Sequence, residues 1–188
     1  MNDTTLILAS ASPRRRELLG LTGLPFTIDA PDVDESCALP PREAVKELSR
    51  RKALAAAKLH PGCVILAADT LVSVDEKALG KPHDEEDAFR MLSMLSGRWH
   101  QVYTGVSVVD ADGILHCEAD VTDVHFEPMT EDAIRSYIAT GECLDKAGAY
   151  AAQGIAGLWI DQLHGSHTNV IGLPMALTRR LLETCSLL

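Results

Sequence analysis

Apolar and polar positions along this chain fall into blocks whose period switches between that of strands and that of helices. Leu6, Ile7 and Leu8 lie in an apolar run over residues 5–9 that reads as a buried strand. Ser10-Ala-Ser12-Pro13 breaks the run, with Ser12 placed as a helix N-cap and Pro13 as the first helical residue, because proline's missing N–H is one of the donors left free there. The helix is predicted over 13–22, stopping at Gly23. Residues 26–30 form a second candidate strand, and Pro31-Asp-Val-Asp-Glu-Ser36 an acidic loop. A long helix is predicted over 41–59, ending before Pro61-Gly62, followed by a strongly β-branched strand over 64–74 and a turn at Asp75-Glu76. A helix follows over 84–95 with acids in its first turn. Two long strands, 100–109 and 114–126, flank the hairpin chemistry of Asp110-Ala-Asp-Gly113. A helix over 130–139, a strand over 157–163 and a closing helix over 175–182 complete the order. Nothing divides the chain, so residues 1–188 are expected to form one α/β domain, and the hairpin makes its twisted sheet mixed.

Composition narrows the classes of function. The 188 residues are 46% hydrophobic and 23% charged, which is globular usage. Seventeen Lys plus Arg stand against 27 Asp plus Glu, a formal charge of −10, so no broad basic surface for duplex nucleic acid or anionic lipid is expected. An anionic ligand must therefore meet a local cluster of cations. The five cysteines are scattered without a CxxC pair and read as reduced thiols of a cytoplasmic protein. The apolar residues 6–9 precede Arg14-Arg15-Arg16, the reverse of a signal peptide's order, and no apolar run approaches the ~18 residues of a membrane span, so neither secretion nor a membrane partner is expected.

Three positions break the rules of the elements that carry them. Arg14, Arg15 and Arg16 place cations in the first turn of a helix, where the macrodipole favours negative charge. With the hydroxyls of Ser10 and Ser12 and free N–H groups they would suit a phosphate, and the bland alternative is a solvated basic turn. Lys52 shares a helical stripe with Val45, Leu48, Ala55 and Leu59, so it interrupts the core-facing side and must reach either water or an anion. Asp69 interrupts the apolar run that begins at Val64, where a carboxylate is expensive unless it is paired or functional; a strand bulge is the structural alternative. Lys81 adds a cation in the Gly80-Lys81-Pro82 turn, and Asp145-Lys146 opens a polar loop containing Gly148, Tyr150 and Gln153. His164-x-x-His167 is read as a turn rather than a metal pair, no cysteine has an activating neighbour, and neither GxxxxGK[ST] nor GxGxxG occurs.

Leu8-Ala-Ser-Ala-Ser-Pro-Arg-Arg15, Ala68-Asp-Thr70, Gly80-Lys-Pro82, Leu95-Ser-Gly97 with Tyr103-Thr-Gly105, Asp145-Lys-Ala-Gly-Ala-Tyr150 with Gln153-Gly154, and Gly172-Leu-Pro174 together resemble the Maf family of nucleoside triphosphate pyrophosphatases, in order and over nearly the whole chain. The resemblance implies a Maf-like, inosine-triphosphatase-like fold with two lobes around a nucleotide cleft. It implies hydrolysis at the α–β phosphoanhydride to a monophosphate and pyrophosphate. Ser10, Ser12, Arg14, Arg15 and Lys81 would bind substrate; Asp69, Lys52 and Glu35 would be catalytic; Asp69 and Glu35 would hold a divalent Mg²⁺ or Mn²⁺. Arg14, Thr70 and Gln153 resemble the branch acting on dTTP, UTP and modified pyrimidine triphosphates rather than the 7-methyl-GTP branch, which carries Trp, Gln and Glu there. Gln153 both donates and accepts, as a uracil or thymine edge requires, and a short Thr70 is expected to leave a smaller base pocket than Gln would. Arg51 replaces the usual Glu or Gln before Lys52, and Ala151 the common Gly after Tyr150. The resemblance also carries a house-cleaning role, a link to arrest of septum formation and a homodimer as expectations. A non-catalytic nucleotide-binding regulator of cell division is the rival reading.

Overall fold

The apolar run that Asp69 interrupts becomes β3 (Val64–Val74), which runs through both halves of the molecule. The computed structural model describes residues 5–188. Before β3 come β1 (Leu6–Leu8), α1 (Pro13–Gly20), β2 (Phe26–Ile28) and α2 (Pro41–Leu59). After it come β4 (Lys77–Leu79), α3 (Glu85–Leu95), β5 (Trp99–Val109), β6 (Leu115–Phe126), α4 (Glu131–Ile138), β7 (Ile160–His164), α5 (His167–Ile171) and α6 (Met175–Thr184). The sheet order is β2-β1-β3-β5-β6-β7, with β4 on the far end of β3. β1 pairs in parallel with β2 and β3, and every other pairing is antiparallel, which is the mixed sheet expected from the hairpin.

One edge of β3 has two different neighbours. β1 covers Val64 to Leu66 and β4 covers Val72 to Val74, so residues 67–71 have no strand partner on that edge. The other edge pairs with β5 along almost its whole length, Asp69 lying opposite Gly105. The core divides about the same break. Leu6, Leu8, Leu66, Val106, Leu173 and Leu182 pack with α1 and α6 on one side of the sheet, and Ile7, Ile65, Ala53 and Ala56 pack under α2 on the other. Val72, Val102, Phe126, Leu92 and Tyr137 form the second lobe with α3 and α4.

α2 buries Ala44, Val45, Leu48, Ser49, Ala53 and Ala56. Each fully buried Val or Leu contributes about 1.5–3 kcal/mol. The helix approaches β5 so closely that a Cβ at Gly105 would lie 2.2 Å from the Val45 carbonyl oxygen; only glycine fits opposite Asp69. The buried face is rotated from the expected stripe: Leu59 is exposed, and Lys52 stands at the margin rather than the centre. At that margin its stem packs while its ammonium reaches the break in β3.

Some ends and elements differ from expectation. α1 stops two residues early, in a turn at Leu21 and Thr22, and β2 is trimmed to three residues. β4 is absent from the hydrophobic pattern because Lys77 and Ala78 carry no apolar alternation; Asp75 and Glu76 with φ of 49° and 61° make the tight hairpin that folds it back. Ile155–Trp159 coils as a 3-10 turn, delaying β7 to Ile160. Residues expected as a loop form α5, whose N-cap Ser166 accepts from the Asn169 amide.

Candidate active site

The break in β3 is the floor of a cleft of about 620 Å³ between the lobes, within the size range of ligand pockets. Ser10, Ser12, Arg14, Arg15, Glu35, Lys52, Asp69, Thr70, Lys81 and Gln153 all line it, whereas Arg16, the third cation of the α1 turn, is exposed and lies outside it. With Asp145 and Lys146 added, five cations face three carboxylates there, a local positive balance inside a chain of net charge −10. Among the described residues, none of the five free cysteines lines the cleft and no cluster of three or more His, Cys, Asp or Glu is arranged as a metal cage. His164 instead stacks on Trp99, ring centroids 4.8 Å apart.

At the floor, Lys52 Nζ donates to Asp69 Oδ1 at 2.6 Å and to Glu35 Oε1 at 2.7 Å. Asp69 is buried on β3, Glu35 reaches in from the loop after β2, and the ammonium between them cancels much of their repulsion. Its hydrogen bond from Lys52 holds the Glu35 carboxyl below the usual carboxylate range, against a smaller opposing effect of burial. The point on which these two oxygens converge is filled by the Lys52 ammonium, so a hard divalent cation such as Mg²⁺ would take a carboxylate oxygen that Lys52 leaves free and fill its remaining sites from water and substrate phosphates.

Above the floor, Arg15 ties three elements together. Its Nε donates to the Gly172 carbonyl at 2.9 Å, Nη1 to Ser10 Oγ at 3.1 Å and Nη2 to Thr70 Oγ1 at 3.1 Å. Three of the five N–H groups of a guanidinium are thereby used, leaving one on each Nη for an anion. Burial lowers the Arg15 pKa from its usual range, a trend the neighbouring Asp69 opposes. The Thr70 hydroxyl lies 3.0 Å from Thr104 Oγ1, and Thr104 donates to the Asn169 carbonyl at 3.0 Å. Because the Thr104 proton is committed to that carbonyl, Thr70 is the donor to Thr104 and the acceptor from Arg15. Thr70 therefore does more than shorten a side chain in a base pocket: its hydroxyl holds Arg15. Thr104 and Asn169 are fully buried, and no signal in the sequence marks them; nothing in a strand threonine announces a partner on α5.

The α1 turn departs from expectation in one detail. Ser12 occupies the N-cap position, yet its side chain makes no capping bond. Its N–H instead donates to Ser10 Oγ at 3.3 Å, so Ser10 accepts twice and keeps its own proton for a ligand. Arg14 has no hydrogen-bond partner among the described residues and lies at the rim.

Two loops close the opposite side. The Gly148 amide donates to the Gly80 carbonyl at 3.0 Å, tying the Lys146 loop to the turn that carries Lys81. Lys146 pairs with its neighbour Asp145. Gln153 is exposed, but the turn beneath it is pinned: Glu142 accepts from the Ile155 amide at 3.1 Å and from the Tyr137 hydroxyl at 2.8 Å. A Cβ on Gly154 would lie 2.2 Å from that carboxylate, so a side chain there would push the turn away. Behind this wall Tyr150, which lines the cleft, makes a 2.8 Å hydrogen bond with buried His100.

Known proteins similar to this chain identify its family and its fold. The family model described as Maf-like protein matches residues 5–185. A dTTP/UTP pyrophosphatase of Symbiobacterium thermophilum is 48% identical over 179 residues, covering 94% of this chain and 92% of its own. One from Thermococcus kodakarensis is 47% identical over 180 residues, covering 95% of both chains. Among solved structures, a HAM1 protein from Coxiella burnetii superposes with a TM-score of 0.58 at 15% identity, covering 96% of this chain and 99% of that one. The Staphylococcus aureus Ham1 protein gives 0.56 at 17% identity, with 96% and 99% covered. At such identities these structures speak to the fold alone, and it is the two-lobed α/β fold implied by the motifs. With the motif series, the cleft that gathers it and a family match over almost every residue, the chain belongs to the Maf family.

Proposed function

We propose that the chain is a nucleoside triphosphate pyrophosphatase that hydrolyses dTTP and UTP to the monophosphate and pyrophosphate. The observation that carries this reading is the Asp69–Lys52–Glu35 arrangement on the floor of a cationic cleft. A pure binder of polyanions gains nothing from two carboxylates beside the phosphates; a hydrolase needs one to activate water. Similarity to curated dTTP/UTP pyrophosphatases over nearly the full length supports the same substrate class.

Arg14, Arg15, Lys81 and the Ser10 hydroxyl hold the triphosphate, with Arg15 already oriented by Thr70 and Gly172. Asp69 Oδ1 is occupied by Lys52, which leaves Oδ2 to take a proton from water. The water oxygen bonds to the α-phosphorus as the bond from that phosphorus to the bridging oxygen breaks, and pyrophosphate leaves with the electron pair. Lys52 fixes the carboxylate's orientation through the step. Glu35, through the oxygen that Lys52 leaves free, and substrate oxygens would hold a divalent cation, Mg²⁺ or Mn²⁺, which would polarise the α-phosphate and neutralise charge on the leaving group, with Asp69 Oδ2 kept for the proton. Gln153 reads the pyrimidine edge, and the enzyme acts on free nucleotides in the cytoplasm.

The test is to incubate purified protein with UTP and Mg²⁺ and separate the products. UMP and pyrophosphate are expected, with orthophosphate appearing only when inorganic pyrophosphatase is added, and chelation should stop the reaction. UDP with orthophosphate would overturn the site of attack. Tight binding of UTP without turnover would favour the regulator, and a higher kcat/KM for 7-methyl-GTP than for UTP would move the chain to the other branch.

A further inference from the structure

We propose that Arg51 is a positioning residue that clamps the Glu35 loop onto α2, so that Glu35 is presented to Lys52 and Asp69 before substrate arrives. The inference deepens the pyrophosphatase reading and rests on it for the catalytic role of Glu35. Residues 29–38 contain neither helix nor strand, and the Glu35 side chain remains 58% exposed. An acid on such a segment, held only through its contact with Lys52, would depend on the outer atoms of two flexible side chains, an arrangement with a high entropic cost.

The structure supplies a second grip. Arg51 Nη1 donates to the Asp34 carbonyl at 3.0 Å and to the Ser36 carbonyl at 2.9 Å, one on each side of Glu35. Its Nε donates to Glu47 Oε1 at 2.8 Å, which anchors the guanidinium one turn back on the same helix. Glu47 is itself held by Arg50, whose Nε and Nη2 donate at 2.7 and 2.9 Å. The two guanidiniums hold the Glu47 carboxyl at a pKa of about 2, so the anchor stays ionised. Consecutive residues of α2 thus have separate roles, Arg51 fixing the loop backbone and Lys52 receiving the side chain. Arg51 does not line the cleft, and three of its contacts face Glu47 and the loop, which excludes it as a phosphate ligand in this arrangement. The clamp needs a fork, since a single ammonium cannot reach Glu47 and both carbonyls with the same geometry.

The experiment compares the full chain with Arg51→Gln and Arg51→Lys. Exchange of the Ser36 amide, which donates to Asp34 Oδ1 at 2.9 Å between the two clamped carbonyls, is measured without nucleotide, and UTP turnover is measured across a Mg²⁺ titration. Both variants are expected to exchange about tenfold faster at this amide with sheet protection unchanged, as local opening without global loss requires. KM for UTP and the half-saturating Mg²⁺ concentration should rise about fivefold while kcat stays within about twofold. Wild-type exchange in Arg51→Gln would overturn the clamp, as would faster exchange throughout the protein. Wild-type behaviour of Arg51→Lys would show that charge rather than the fork matters, and would also overturn it. Faster loop exchange with unchanged KM and Mg²⁺ dependence would overturn the positioning role. If wild-type protein does not turn over UTP, the function reading fails, and the exchange comparison still decides the clamp.

Discussion

The wall of the cleft built from α1, β3 and α5 and the rim built from loops differ in how many of their polar groups are already committed. On the wall, Arg15 spends three donors on Ser10, Thr70 and Gly172, Thr70 donates to Thr104, and Asp69 is bound to Lys52. At the rim, Arg14, Lys81 and Gln153 make no side-chain hydrogen bond among the described residues, although the turn under Gln153 is pinned by Glu142. A wall fixed in advance lowers the reorganisation needed at the reacting phosphorus, whereas uncommitted rim groups can pair with the ligand without breaking a bond to the protein. The difference teaches which substitutions should change the chemistry and which should change the choice of substrate.

The largest effect should come from the wall. Asp69→Asn is nearly isosteric but cannot accept a proton at neutral pH, and kcat is expected to fall by ~10²–10⁴ with a far-UV spectrum like wild type. A variant retaining more than a tenth of wild-type kcat would move the base elsewhere, with Glu35 next in line. At the rim, the expected signature is a ratio rather than a loss. With Gln153 in its proposed role as reader of the base edge, UTP and dTTP should exceed CTP in kcat/KM by about 5–150-fold, because the N3 and N4 positions of cytosine reverse part of the uracil pattern and one hydrogen bond mispaired in the complex costs about 1–3 kcal/mol. Gln153→Ala should shrink that ratio toward one. An unchanged ratio would place base selection on the wall after all.

Acid should weaken the packing behind the rim, where His100 is buried. His100 is 3% exposed, and burial first, with His125 second, lowers its pKa to about 3. Its Nε2 shares a hydrogen bond with the Tyr150 hydroxyl, whose own pKa is raised by burial. The unfolded chain takes up a proton at the ordinary histidine pKa of about 6.5, while the folded protein does not until about 3, so stability from neutral His100 is present above the unfolded value and is lost as pH falls through that window. The slope is at most about 1.4 kcal/mol per pH unit. Thermal unfolding of wild type and His100→Gln between about pH 7 and about pH 5 measures it, and parallel slopes would remove His100 as the cause.

The two regions are unequally legible in the sequence. α2 and β3 have the expected ends because Pro41, Pro61-Gly62 and the β-branched residues at both ends of β3 are local signals. Asp69 and the arginines of α1 stand out because each violates a local rule, a carboxylate inside a strand and cations at a helix N-terminus. Lys52 stands out for the right chemistry on a misplaced stripe; the true buried face is set by how close Gly105 lets α2 approach the sheet. Glu35 comes only from the family resemblance, since an acid in an acidic loop breaks no rule. Thr104, Asn169 and the grip of Arg51 are invisible because their meaning lies in partners far along the chain, and β4 and α5 because short elements owe their existence to what they pack against.

The smallest expected effect isolates preorganisation from chemistry. Thr104 is fully buried and touches Thr70 and the Asn169 carbonyl, with Arg15 one residue further along the chain of hydroxyls. Thr104→Val keeps the shape and removes the hydroxyl, so Thr70 loses the acceptor that orients it and Arg15 loses a fixed partner. One net hydrogen bond of about 0.5–1.5 kcal/mol is at stake, or about 2–12-fold in an equilibrium. Since the role proposed for Arg15 is to bind phosphate rather than transfer the proton, this should appear as a rise in KM with kcat nearly unchanged. Thr104→Ser, which restores the hydroxyl while deleting a methyl, should restore KM even though the cavity it leaves lowers stability. That crossing of effects separates the two accounts: if KM follows thermal stability across the pair instead of following the hydroxyl, Thr104 is core packing and the wall owes its order to Arg15 and Gly172 alone.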